Sequence, residues 1–178
     1  MSKIVSLLVV QAVFCFSFIP STYADSALIK DVCKKTPYYD LCVSILETDP
    51  RSSISDVVGL AHIAAESVKA KAIAISNQIG ASLGISNDPN LKTALNVCLN
   101  SYNTILRDNI PIVIEAIVRG DLMHAVSNAA DAGNEAQICE ESFRQNTIHP
   151  TNTIYVANQQ LYALSVVLQF IASLMPVN

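Results

Sequence analysis

The chain has 178 residues, 51% of them hydrophobic and 15% charged, with 11 lysines and arginines against 15 aspartates and glutamates. A net charge of −4 with dispersed signs argues against nucleic acid, whose binding requires a basic face, and favours solubility and attraction to a basic protein partner. This length suits one domain with a real core better than two.

Residues 1–24, MSKIVSLLVVQAVFCFSFIPSTYA, carry one basic residue at Lys3, an apolar run of 16 residues from Ile4 to Ile19, and small residues Thr22 and Ala24 where a signal peptidase reads. The run is interrupted by Gln11 and two serines, and it is shorter than the roughly 20 residues of a membrane span. The reading is a secretory signal peptide at 1–24 and a mature single domain at 25–178, extracellular, with no membrane attachment after cleavage.

Cys15 leaves with the signal peptide, and Cys33, Cys42, Cys98 and Cys139 form an even set in a secreted chain. Two disulfides follow, with three pairings open to sequence alone. Cys33 and Cys42 bracket a short segment with a turn-forming Thr36-Pro37 pair, while Cys98 and Cys139 fall on the seams of two successive helices, so near pairs with near and helix with helix. In the chain-entropy model the second bridge, closing about forty residues, stabilises by roughly 4 kcal/mol. Zinc is the rival use of four cysteines, but neither the spacing nor a neighbouring histidine supports it, and no metal or cofactor is expected.

Along the mature chain, residues 25–50 read as an N-terminal hairpin of two short helical pieces. From Ser55 to about Leu83, Val57, Ala61, Ala64, Val68, Ala72, Ile75, Ile79 and Leu83 step along one face of a long helix. Ser53 or Ser55 is its expected N-cap and Gly84 its stop. Asp88-Pro89 opens a second helix carrying Leu91, Leu95, Cys98, Tyr102 and Ile105 inward. Pro111 predicts a kink near Asn109, after which the apolar pattern resumes at Ile112, Ala116 and Ile117. Gly120 ends this helix and Asp121 caps the third.

The third helix, Gly120 to Phe143, repeats Leu122, Ala125, Ala129, Ala132, Ala136, Cys139 and Phe143 at steps of three and four. So narrow a seam lets a neighbour approach closely. The opposite face carries Asn128, Asp131, Asn134, Glu135, Gln137 and Ile138, with little to do inside a fold. After the loop RQNTIHPTN, a fourth helix from Thr153 to Leu174 has a seam of Ile154, Ala157, Leu161, Leu164, Leu168 and Ile171, widened by Val166, Val167 and Phe170. Nothing reads as a strand. The fold class is all-α, an up-down-up-down four-helix bundle over residues 53–176 preceded by the disulfide-tied hairpin.

Chemistry is hard to find. The histidines are His62, His124 and His149, with no nucleophile elbow or phosphate-cradling glycine loop. Glu140 and Glu141 are adjacent, so a helix points them about a hundred degrees apart, a poor geometry for an acid/base pair. The Arg119-Gly120-Asp121 triplet resembles an adhesion tripeptide, but Gly120 and Asp121 already have local jobs as helix stop and cap. A lipid or small-ligand carrier is a remoter alternative, since secreted disulfide-bonded helical proteins can hold a ligand between helices.

The segments CKKTPYYDLCVSILETDPRS and DPNLKTALNVCLNSY, the glycine-aspartate junction and ICEESF resemble the plant pectin methylesterase and invertase inhibitor family. The likeness runs over essentially the whole mature chain. It implies a four-helix bundle with a helical hairpin, the disulfides Cys33–Cys42 and Cys98–Cys139, and a non-catalytic protein of the cell-wall space that occludes an enzyme's active-site cleft. The methylesterase arm lays its second, third and fourth helices across the substrate groove in a one-to-one complex favoured at acidic pH. The invertase arm inserts a Pro-Lys-Phe motif after the glycine-aspartate junction. Here that position reads Leu122, Met123, His124, without the proline or the lysine. CKKTPYYDLC, the VKAKA of the first long helix and Pro111 lean towards the invertase arm, but they are scaffold features. The expectation is therefore a pectin methylesterase inhibitor, with acid invertase as the alternative target. Asn128, Asp131, Asn134, Glu135 and Ile138 form the expected partner contact.

Overall fold

The computed structural model describes residues 22–149 and 152–176, so most of the signal-peptide segment, residues 1–21, lies outside the described residues. Two short helices, α1 (Thr22–Cys33) and α2 (Tyr39–Glu47), make the hairpin. A 3-10 turn (Pro50–Ile54) leads to α3 (Val57–Ile85). Then come α4 (Pro89–Thr104), a π turn (Ile105–Asn109), α5 (Ile110–Arg119), α6 (Leu122–Gln145) and α7 (Asn152–Ala172). Among the described residues there is no strand.

α4 and α5 are joined without a break by the π turn, so the bundle has four members. α3 packs on α4 and α7, and α6 packs on α4, α5 and α7, closing a four-membered ring. The core at its centre is the one the apolar periodicities outlined: Ala61, Val68, Ile75 and Ile79 of α3, Leu95 and Tyr102 of α4, Ala125, Ala129, Ala132 and Ala136 of α6, and Leu161 and Leu168 of α7 are all buried. Phe170, expected to widen the α7 seam, is instead 37% exposed.

The hairpin docks through Ile29, Val32 and Leu46, all buried, onto α3, α7 and the 3-10 turn. Cys33 and Cys42 are bonded across it with a Cα separation of 5.5 Å. Arg51 then ties the turn to the bundle. Its guanidinium reaches Asp49 Oδ2 at 2.6 Å and Glu66 Oε2 at 2.5 Å. Asp49 caps the turn by accepting from the Arg51 amide at 2.9 Å.

Both ends of α3 differ from expectation. The α3 cap is Asp56, which accepts from the Gly59 amide at 2.9 Å, whereas the hydroxyls of Ser53 and Ser55 donate to Pro50 and Arg51 carbonyls. Gly84 is not the stop either; α3 continues to Ile85 and Ser86 caps it in extended conformation. Asp88 caps α4 by accepting from Asn90 and Leu91 amides at 2.8 and 3.3 Å.

Pro111 produces a π turn rather than a simple break. Proline has no amide to donate, and the helix accommodates it with one residue beyond the α count, the Ile110 amide donating to the Ile105 carbonyl five residues back. The inward face changes at its first position only, since Ala116 and Ile117 stay buried as expected. Ile112, expected inside, is 40% exposed, and Val113 takes its place in the core.

Candidate inhibitory face

The α6 seam of alanines and Gly133 brings its neighbours in close. A Cβ placed on Gly133 would lie 3.4 Å from Ser165 Cβ and 3.5 Å from the Tyr162 ring, so α7 rests nearly on the α6 backbone. On the other flank Cys139 is bonded to Cys98 of α4, with Cα atoms 4.2 Å apart. Ser142 donates to Ala94 O at 3.1 Å and to Cys139 O at 2.7 Å. Both edges of α6 are fixed, which leaves its remaining face presented on a rigid support.

That face brings the five expected contact residues together. Asp131 and Asn134 are exposed and Ile138 is 48% exposed, while Asn128 and Glu135 are half-buried. Asn128 already donates its amide to His124 O at 3.0 Å, which limits what it can offer a partner. Among the described residues no lysine, arginine or histidine forms an ion pair with Asp131 or Glu135. These carboxylates remain available, with the aliphatic side chain of Ile138 beside them.

Towards the C-terminal end an open concavity of about 690 Å³ runs over Asn134, Gln137, Ile138, Glu140, Glu141 and Gln145, between Val97 of α4 and Gln159 of α7. Its acids are internally engaged. Glu140 accepts from Gln159 and from Asn158 Nδ2, the latter at 3.4 Å, and Glu141 accepts from Arg144 and Gln145. The apolar periodicities carry Tyr102 inward without a partner and so miss the network behind Glu140. Tyr102 donates to Asn158 Oδ1 at 2.7 Å, and Asn158 Nδ2 donates to Ala136 O at 2.8 Å. The available signal was Asn158 itself, a polar residue four after Ile154 and three before Leu161 on an apolar seam.

The other end of α6 is the junction with α5. Gly120 adopts φ 69°, a left-handed conformation that closes α5 and that glycine adopts without steric cost. Asp121 caps α6, accepting from the His124 amide at 3.2 Å and meeting His124 Nδ1 at 2.7 Å. The amide bond, aided by the imidazole, holds the Asp121 carboxyl below the usual carboxylate range. Arg119 is paired with Glu115. All three residues of the adhesion-like triplet are therefore occupied by helix termination, capping and pairing. Around them Val118 and Met123 stand 75% and 73% exposed, an apolar tip that the sequence pattern did not single out.

The histidines do not assemble chemistry. His124 serves the cap, His62 Nδ1 lies 3.8 Å from Glu66, and among the described residues no three potential metal ligands converge.

Residues 27–168 match the family model described as plant invertase/pectin methylesterase inhibitor. The chain is 38% identical over 120 residues to a cell wall / vacuolar inhibitor of fructosidase from Arabidopsis thaliana, covering 67% of this chain and 58% of that protein. The matched stretch is thus somewhat over half that relative's length. To a pectinesterase inhibitor from Actinidia deliciosa it is 30% identical over 170 residues, covering 96% of this chain and 91% of that one. In fold it resembles the crystal structure of a mutant form of a pectin methylesterase inhibitor from Arabidopsis, with a TM-score of 0.73 at 19% identity, over 84% of this chain and 98% of that one.

Proposed function

The chain belongs to the plant invertase/pectin methylesterase inhibitor family, and we propose that it is a secreted inhibitor of pectin methylesterase. It is an enzyme inhibitor and not an enzyme. In our reading residues 1–24 direct secretion, residues 25–178 act in the cell-wall space, and one inhibitor occludes the active-site cleft of one enzyme. We assign the mature hairpin to residues 25–50, so that cleavage after Ala24 removes the first three residues of α1, and the bundle to 53–176.

One observation carries the choice of target. The outer face of α6 keeps Asp131, Asn134 and Ile138 exposed on a helix clamped along both edges. The junction, in contrast, offers Leu122, Met123 and His124, with the His124 ring drawn to Asp121. A rigid polar face with an aliphatic centre suits a broad groove. A cap occupied by its own histidine lacks the proline and lysine that would enter a sugar pocket. A stable complex buries about 1,200 Å² or more in total, which a face of this extent can supply.

Acid invertase is the second reading, favoured by the 38% identity to the Arabidopsis fructosidase inhibitor. Titrating the oxidised mature protein against a plant pectin methylesterase and a plant acid invertase, at about pH 5 to 6 where carboxylates are mostly ionised, separates the two. Loss of methylesterase activity at equimolar inhibitor with invertase untouched is expected. The reverse result overturns the assignment.

A further inference from the structure

In an acidic chain, the stretch Lys30 to Tyr39 is basic: Lys30, Lys34 and Lys35 stand against Asp31, with Asp40 following. All three lysines are exposed. Lys30 lies in the last turn of α1, and Lys34 and Lys35 open the tight connection to α2. The only ion pair any of them makes among the described residues is Lys34 with Asp31, at 3.3 Å with side chains 66% and 72% exposed. Water screens such a pair heavily, so a ligand carboxylate can replace it.

Tyr38 and Tyr39 lie in the same segment, Tyr38 half-buried and Tyr39 38% exposed. Their backbone is well defined. The Thr36 amide donates to Cys33 O at 3.0 Å, the Tyr38 amide donates to Thr36 Oγ1 at 3.3 Å, and Cys33–Cys42 closes the loop. Exposed ammonium groups on a tied backbone that also carries two tyrosines suit a ligand with repeated carboxylates and apolar ring faces.

We propose that this loop binds an anionic, uronate-bearing polysaccharide and tethers the inhibitor to it. The choice of polymer rests on the reading above, which places the chain in the cell wall beside an enzyme that creates such carboxylates. The hairpin packs on α3, α7 and the 3-10 turn, whereas Asp131 and Ile138 belong to α6. Polymer on the hairpin leaves the inhibitory face open to an enzyme.

The test is co-sedimentation of the oxidised mature protein with polygalacturonate and with fully methyl-esterified pectin at about pH 5 to 6, at low and high sodium chloride, beside enzyme inhibition in separate assays. Expected are retention on polygalacturonate alone and release by salt. The combined Lys30→Gln, Lys34→Gln, Lys35→Gln variant weakens retention about tenfold, and Tyr39→Ala weakens it further. Lys69→Gln with Lys92→Gln, at exposed positions elsewhere, leaves retention unchanged. No retention at low salt overturns the proposal, as does equal loss in the Lys69/Lys92 control. A triple variant that keeps polymer binding but loses enzyme inhibition makes the hairpin a protein contact instead, which also overturns it. Failure of both target assays with salt-sensitive retention intact overturns the inhibitor reading and leaves the tether standing.

Discussion

Tyr102 of α4 and Asn158 of α7 meet in the middle of the bundle, the phenol donating to Asn158 Oδ1 at 2.7 Å with both side chains buried. Asn158 passes the contact on to the Ala136 carbonyl of α6, so three of the four bundle members share one polar knot.

Removing the phenol oxygen leaves Asn158 Oδ1 buried and unpaired. Tyr102→Phe should cost about 1 to 3 kcal/mol at neutral pH by urea unfolding. Burial also pushes the Tyr102 phenol well above its ordinary range. The folded-state pKa is raised, so the contribution is fully present below the unfolded value, about 10, and is lost as pH rises above it. The stability gap between the native protein and Tyr102→Phe should therefore narrow above about pH 10.

Asp49 titrates at the opposite extreme. Its side-chain and amide bonds with Arg51 lower its pKa to about 2. A depressed carboxylate contributes stability above its unfolded value, about 3.9, and loses it as pH falls towards 2. Hydrogen exchange of the hairpin amides should stay slow down to about pH 4 and quicken below it. In Asp49→Asn that acid step should be absent.

Two positions, one for its backbone and one for its side chain, should tolerate improvement. Thr147, after α6, has φ 57°, where a β-branched side chain is strained, and Thr147→Gly should stabilise by about 0.5 to 1 kcal/mol in thermal unfolding. Among the described residues Ser165 Oγ is buried without a hydrogen-bond partner, so Ser165→Ala should be neutral or stabilising by up to about 1 kcal/mol.

On the α6 face, Ile138→Ala and Asp131→Lys should each weaken inhibition about tenfold or more if they sit at the centre of the contact, with unfolding transitions unchanged. Both side chains are substantially exposed, so a drop in stability with inhibition intact would show that they serve the fold instead.

The bundle was legible because its elements announce themselves locally. Asp88 before Pro89, Gly120 before Asp121 and the alanine seam of α6 each carry their own physics, and each helix keeps one apolar stripe. Errors arose where two signals competed. Ser53, Ser55 and Asp56 all resemble caps, and the charged one took the role. Ile112 fits a seven-residue return from Ile105, but Pro111 changed the local count. Long-range polar partners such as Tyr102 and Asn158, 56 residues apart, have no local signature at all. The α6 face was legible as a polar strip, whereas the tip of Val118 and Met123 depends on how two helix ends meet and appears only in three dimensions.

The π turn gives the bundle a means of steering. Between the layer locked by Cys98–Cys139 and the tip at Gly120, Ile105–Asn109 is where the helical phase is set. One residue corresponds to about 100° of azimuth and about 1.5 Å of advance. A single-residue change of length there re-aims the Val118 and Met123 tip while the cystine layer stays anchored. Length in this turn, more than side-chain identity at the tip, then governs where Val118 and Met123 point relative to the outer face of α6.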